Sequence, residues 1–505
     1  MNLEVVLLGF SFPLERCLRQ IGAPYRIVGL SGAIPEDSAA YLVPADSAFC
    51  RKSVTALLQK KRAVIIPQSM RHFLEETPLL FAYPDDCLDH GYGSTPKIFK
   101  VGKLLPREEV ATRPTNPVAQ LFLSLLAQTF EKQGLFFPAL SFFPPGYRTL
   151  FSFRVDADEY DPDVCTAFFE KAAPYSKGTT VFFSGANFLN AKPLIQNCVT
   201  AGFEVSSHAF HHHTYKSSRQ NLYNIRKAAD FFDQLETPRT EGFAAPRGRW
   251  NPGLQSALAD LGYRYSSDFV YDYDSYPSFP FLMKGFSTVL QIPIHPVCSG
   301  ICLEAAQDPL TYRDLAEYFE SVFEKKYHSC EPIIFYDHPT AWTLDQFSLI
   351  DRWFSWARNA PDVWVCQFGE FADWCIRRDR LRPRVSQEPY ASRVEISCDD
   401  MPDAENIYAL NLYRRGSAEY AQVRLSKNSS YHETAGLCFF ERRIPGNEHG
   451  EETPFHKINA FRYCKRLLKQ ALDWETVTPL DEIIVEDLST AVKKAMRFLT
   501  GTPKL

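Results

Sequence analysis

Short apolar runs alternate with stretches of helical period along most of this chain. Near the N-terminus EVVLLGF from Glu4, YRIVGL from Tyr25, AAYLVP from Ala39 and AVIIP from Ala63 read as strands, and VTALLQKKR ahead of the last reads as a helix. Strands this short and this uniformly apolar, with helices between them, are the pattern of a parallel sheet covered on both faces. The alternation resumes at TLFSFRV from Thr149. It continues through the helical CTAFFEKAAPY, the strand TTVFFSG, a helical stretch reaching Ala201, the strand FEVSSH, a long helix from Arg219 to Leu235 and the strand EGFAAP. Repeated strand–helix units predict a barrel or a doubly wound sheet, with functional residues at the carboxyl ends of the strands.

Two breaks divide the pattern. SFFPPGYRTL from Ser141 carries consecutive prolines and a glycine, and RRDRLRPRVSQEP from Arg377 is charged, proline-bearing and poor in apolar residues. Beyond the second break SRVEISC, YAQVRLS and GLCFFERR read as strands, and NAFRYCKRLLKQALDW from Asn459 as an amphipathic helix. Three units are expected: an N-terminal α/β domain over 1–145, a central domain over 146–380 and a smaller α+β domain over 385–505. A chain of 505 residues exceeds what one core usually organises, which agrees with this division.

Composition narrows the function classes. Aromatic residues are abundant at 14%, with 40 Phe and 24 Tyr, and the net charge of -5 supplies no broad positive field, so no nucleic-acid partner is expected. No GxGxxG or GxxxxGK[ST] string follows any strand, so nucleotide binding has no motif. The opening MNLEVVLLGFSF has no basic residue before its apolar run, and the run is too short for a signal or a membrane span, which predicts a cytoplasmic protein. The 13 cysteines, with no CxxC pair, are expected to be reduced and used as small buried hydrophobes; Cys298 and Cys302, four apart, lack the second thiol pair of a zinc clip.

Three polar strings follow apolar strands. In RVDADEY, alternation sets Asp156 and Asp158 on one side of a strand end, and two neighbouring carboxylates call for a cation or a shared proton. In SSHAFHHHTY, His208 and His212 have the four-residue spacing that turns two imidazoles to one face, with His211 at spacing three as the competitor. In IIFYDHPTAW, a buried-looking strand runs into Asp337 and His338, and a metal site that activates water needs such a group to protonate a leaving amine.

Together with GFAAPRGRW from Gly242 and YSSDF around Asp268, these strings resemble the motif series of the polysaccharide deacetylase family, the NodB-homology or carbohydrate esterase family 4 proteins, over about residues 148–345. RVDADE and YSSDF are also similar to strings of the deformylases that act on lipid-linked formamido-arabinose. The resemblance implies a distorted, incomplete (β/α) barrel. It implies that Asp158, His208 and His212 bind one divalent metal ion, usually zinc, that Asp156 is the general base and His338 the general acid, and that Asp268 lies in the outer shell of the site.

The chain departs from the family in two places. Ala244 stands where most members have the arginine that orients the catalytic carboxylate, so either Arg247 or Arg249 takes over from a different backbone position or the base is tuned less well, and Ala209 stands where a hydroxyl usually follows the first histidine. Trp250, Tyr271, Tyr273, Tyr276 and Trp342 either stack on sugar rings or belong to the core. The expected activity is removal of an N-acetyl or N-formyl group from an amino sugar, sugar nucleotide, lipid-linked sugar or polysaccharide, with the flanking domains available for protein partners. The alternatives are a hydrolase of a small non-sugar amide and a catalytically silent carbohydrate-binding or assembly protein.

Overall fold

The computed structural model of the protein describes residues 1–29, 32–45, 51–88, 92–235, 241–283, 285–300, 302, 312–401, 408–427 and 430–444. At its centre is an eight-stranded parallel sheet whose longest strand is Thr149–Ala157. That strand pairs with Thr179–Phe183 on one side, with Ile333–Asp337 on the other, and through its first residues with Val363–Val365. From Thr179–Phe183 the sheet runs through Glu204–Ser207, Gly242–Ala244 and Tyr265–Ser267 to Leu290–Gln291. The His295 N–H donates to the Ile334 carbonyl at 2.9 Å, bringing the far end of the sheet back to its beginning. This is the curled, incompletely laddered barrel that the sequence implies.

Alternation along Thr149–Ala157 separates core from site. Phe151, Phe153, Val155 and Ala157 pack outward beneath Phe168 and Phe169 of the helix Pro162–Ala172, Phe319 of Tyr312–Ser329, and Trp353 and Phe354 of Ser348–Asn359. Ring pairs such as Phe151–Phe354 at 5.0 Å and Phe153–Trp353 at 5.7 Å account for much of the aromatic content. Ser152, Arg154 and Asp156, all buried, take the opposite face. Helix starts are locally encoded: Asp161 accepts from the Asp163 and Val164 N–H groups with Pro162 next in sequence, and Asn251 accepts from the Leu254 N–H ahead of Pro252.

The sequence divides the flanks into two domains, whereas the described strands of both lie in shared sheets. Asn2–Leu8 pairs in parallel with Tyr25–Val28 and Ser38–Leu42, and the sheet continues through Ala63–Pro67 to Leu80–Tyr83. On its other side Arg384–Gln387, Arg393–Ser397 and Ser430–Glu433 extend it with antiparallel strands. Ala409–Arg414 pairs with Phe137–Leu140 from the N-terminal stretch. The C-terminal strands thus cover edges that would otherwise expose unpaired backbone. The helix expected from Asn459 lies outside the described residues. Among those residues no helix is long and apolar enough to cross a membrane. Buried thiols such as Cys17 and Cys198 are pushed up to about 12 by burial and pack as small apolar groups.

The helix Asn116–Glu131 is tied to the barrel by Asp272, whose carboxylate accepts from the N–H and hydroxyl of Thr115 and from the Tyr273 N–H. Burial pushes this carboxyl up to about 6, only partly opposed by the Thr115 bonds. The folded protein therefore holds a proton that the unfolded chain releases near its ordinary value of about 3.9. Between those values unfolding releases the proton, so this group makes stability fall as pH rises from about 4 to about 6. Urea denaturation across that range should show a shallower decline for Asp272→Asn than for the unsubstituted protein.

Candidate active site

The site lies where the sequence expects it, at the carboxyl ends of the barrel strands. His208 follows Glu204–Ser207, and a turn with Ala209 in the left-handed region (φ 65°) brings His212 back beside it. The two Nε2 atoms are 3.2 Å apart. Asp158, just past Thr149–Ala157, sets Oδ1 3.1 Å from His208 Nε2 and 3.2 Å from His212 Nε2. His211, the spacing-three competitor, is not part of this convergent group.

These three residues fit a divalent metal ion. Asp158 Oδ1 is buried and takes no hydrogen bond, although two imidazole nitrogens stand close to it. His208 Nδ1 lies 2.8 Å from the Ala244 carbonyl, an acceptor only, so that nitrogen carries the proton and Nε2 is left with a lone pair. Burial alone would lower the His208 pKa, but the Asp156 and Asp158 carboxylates raise it, so the pocket favours positive charge where the ring nitrogens meet. Burial raises Asp158, and the two histidines nevertheless bring it well below its ordinary range.

Cys298, Asp337 and His338 also bring ligand-type atoms close together. There, however, the Asp337 carboxylate is already taken. It accepts from the Ser299 and Gly300 N–H groups at 3.2 and 3.1 Å, the His338 N–H at 2.9 Å, and the hydroxyls of Ser299 and Thr343. Its role is to fix the loop that carries His338.

The guanidinium of Arg154 grips Asp156, a contact the sequence reading, which looked to Arg247, to Arg249 or to a less well tuned base, does not anticipate. Its Nε and one terminal nitrogen each donate to an Asp156 oxygen at 2.6 Å, while the other terminal nitrogen donates to the Ser267 carbonyl at 2.6 Å. Arg154 is fully buried and also lies over the rings of Phe182 and Tyr336. Burial would raise the Asp156 pKa, but Arg154 and His208 bring it below its ordinary value, so Asp156 is ionised at neutral pH. The signal was present in the sequence: the two-residue period that groups Asp156 with Asp158 also sets Arg154 on that face. Arg247 occupies a tight turn after Gly242–Ala244, with φ 57°.

His338 points Nε2 toward Asp158 Oδ2 at 3.5 Å and Nδ1 toward the Cys298 sulfur at 3.7 Å. Cys298 is thus a neighbour of the imidazole, which sequence reasoning did not anticipate. Asp268 is anchored by neighbouring groups. Its carboxylate accepts from the Ala245 N–H at 2.8 Å, Gln291 at 3.0 Å and the Ser266 hydroxyl, and burial pushes it up to about 6. Of the expected sugar platforms, Trp250 and Tyr271 are buried, 4.9 Å apart, with Tyr92 over both. Trp342, four residues after His338, is 53% exposed.

Residues 156–266 match the family model described as polysaccharide deacetylase. Over this stretch the chain is similar to the polysaccharide deacetylase family. The match contains Asp156, Asp158, His208 and His212 and ends before His338. Among solved structures, one from Mycobacterium smegmatis assigned as a polysaccharide deacetylase is 16% identical, with a TM-score of 0.41 over 49% of this chain and 96% of that one. One from Pseudomonas aeruginosa PAO1, also assigned as a polysaccharide deacetylase, is 15% identical with a TM-score of 0.39 over 45% and 91%. The Puue allantoinase is 17% identical with a TM-score of 0.40 over 46% and 91%. No curated protein matches the chain.

Removing one member of a buried ion pair leaves the other uncompensated. Arg154→Ala should therefore cost about 3–5 kcal/mol of stability by chemical denaturation. The double variant Arg154→Ala with Asp156→Ala should recover part of that loss.

Proposed function

We propose that the protein is a metal-dependent hydrolase that removes an N-acetyl or N-formyl group from an amino sugar. The observation that carries this reading is the convergence of Asp158, His208 and His212 on one point, beside a carboxylate gripped by Arg154 and within reach of His338. Two imidazoles and a carboxylate suit zinc. When bound, the ion supplies Lewis-acid polarisation of the amide carbonyl and an acidified water.

The chain's own residues supply the rest. Asp156 takes a proton from the attacking water. Arg154 occupies one lone pair on each Asp156 oxygen, which holds the carboxylate in place and leaves another lone pair to receive that proton. His338 gives a proton to the departing nitrogen as the carbon–nitrogen bond breaks, yielding acetate or formate and a free amine. Trp342, four residues after His338 along the chain, offers an exposed aromatic face for a sugar ring.

A guanidinium reaching Asp156 from Arg154 supports this reading over that of a silent relative, for which Ala244 in place of an arginine speaks.

Mass spectrometry of purified protein should find near one equivalent of zinc or another divalent ion, lost in His208→Ala and Asp158→Asn. Asp156→Asn should keep the metal and lose release of acetate or formate from N-acetyl and N-formyl amino sugars. Metal absent from the unsubstituted protein even after zinc addition would sink the hydrolase reading.

A further inference from the structure

Beyond Leu290–Gln291 the chain from His295 to Gly300 runs alongside Ile333–Asp337 and is fastened to it from end to end. The His295 N–H donates to the Ile334 carbonyl at 2.9 Å, and the Tyr336 hydroxyl donates to the Pro296 carbonyl at 3.1 Å. At the far end the buried Asp337 carboxylate accepts from the Ser299 N–H at 3.2 Å, the Gly300 N–H at 3.1 Å and the Ser299 hydroxyl. The approach there is close: a Cβ on Gly300 would stand 2.8 Å from Asp337 Oδ1 and 2.8 Å from the Thr343 hydroxyl. The same carboxylate accepts from the His338 N–H at 2.9 Å. One group thus fixes the backbone on both sides of the contact between Cys298 and His338.

That contact is buried. Cys298, 1% exposed, sets its sulfur 3.7 Å from His338 Nδ1, within hydrogen-bonding reach of sulfur. The other ring nitrogen, Nε2, lies 3.5 Å from Asp158 Oδ2, on the side of the convergent group. The Tyr336 ring meets the imidazole at 5.7 Å and an angle of 67°, which limits its tilt. An imidazole that hands over a proton at Nε2 has to keep that atom aimed at the departing nitrogen, and a grip on Nδ1 aims it while leaving Nε2 open. A thiol suits the task because sulfur accepts as well as donates. It receives the Nδ1–H of a doubly protonated ring, and the bond persists once Nε2 has given up its proton, because Nδ1 keeps its own.

We infer that Cys298 is the positioning residue for His338. It holds the imidazole at Nδ1 with Nε2 turned toward the departing nitrogen, and the Asp337 carboxylate clamps the thiol in that place.

This inference rests on the amide-hydrolase reading above, and the test separates the two. Release of acetate or formate from N-acetyl and N-formyl amino sugars would be compared with cleavage of p-nitrophenyl acetate, whose phenolate departs without a proton, with metal content measured on the same samples. Cys298→Ala should lower kcat on the amide about ten-fold at unchanged KM and metal content. It should leave ester cleavage within about two-fold, because that leaving group needs no acid. Cys298→Ser, which restores a donor and an acceptor, should recover most of the amide rate. Cys165→Ala, which removes another buried thiol from the helix Pro162–Ala172, should leave the ratio of amide to ester rates as it is. In protein labelled with nitrogen-15 histidine and read at one pH, the Nδ1 resonance that disappears in His338→Gln should move in Cys298→Ala and stay in Cys165→Ala. Equal losses on amide and ester, an unmoved Nδ1 resonance, or the same effects in Cys165→Ala would overturn the inference. Absence of hydrolysis in every sample, with the Nδ1 shift present in Cys298→Ala, would overturn the amide-hydrolase reading and leave the orientation of His338 by Cys298 standing.

Discussion

The ion pair between Arg154 and Asp156 is the constraint around which the centre of this molecule is arranged. A guanidinium and a carboxylate share the inside of the barrel, both nearly inaccessible to water, and the arrangement is tolerable only because their bonds are bidentate and the remaining donor is taken by Ser267. The pair fixes the curl of the sheet, because Arg154 links the Thr149–Ala157 strand to Tyr265–Ser267 across the interior. It also fixes the charge of the site. Two carboxylates, Asp156 and Asp158, face one guanidinium, and the residual negative charge sits where the His208 and His212 nitrogens meet. A doubly charged cation is the natural complement of that set.

Ala244 then has a physical explanation. An arginine at position 244 would compete with Arg154 for Asp156, and the interior has little room for two guanidinium groups of like charge. Moving the cation two residues upstream of the carboxylate keeps the salt bridge within one strand. The Ala244 carbonyl remains free to receive the His208 Nδ1 proton. Carboxylate and imidazole are therefore both held by bonds that leave their reactive atoms turned toward the same space.

Much of this was legible in the sequence because the barrel obeys local rules. Period-two alternation marked the strand end carrying Asp156 and Asp158, and four-residue spacing marked His208 and His212. Arg154 was equally legible, since the same two-residue period sets it beside Asp156 on that face. What lay beyond reach were contacts between distant segments. Nothing in the string VSQ says that it will pair beside Asn2. Such pairings depend on which sheet edges remain open after the barrel has formed, a property of the whole chain. The aromatic residues behaved similarly: Trp250 and Tyr271 look like sugar platforms in isolation, and only the presence of Tyr92 above them makes them core.

The pairing of Asn2 with Ser386 bears on how the molecule comes into being. The first strand emerges from the ribosome long before its antiparallel neighbour exists. At ordinary elongation rates of about 5–20 residues per second, the interval is roughly 20–80 s. Throughout it, the barrel must be synthesised while the start of the first strand, around Asn2, keeps an unpaired edge beyond the stretch that Tyr25–Val28 covers, a surface of the kind that recruits strands from other chains. The nascent polypeptide is therefore most vulnerable to misassembly in the period before residues 384–397 appear, and a chain stopped short of them carries that exposed edge for as long as it survives.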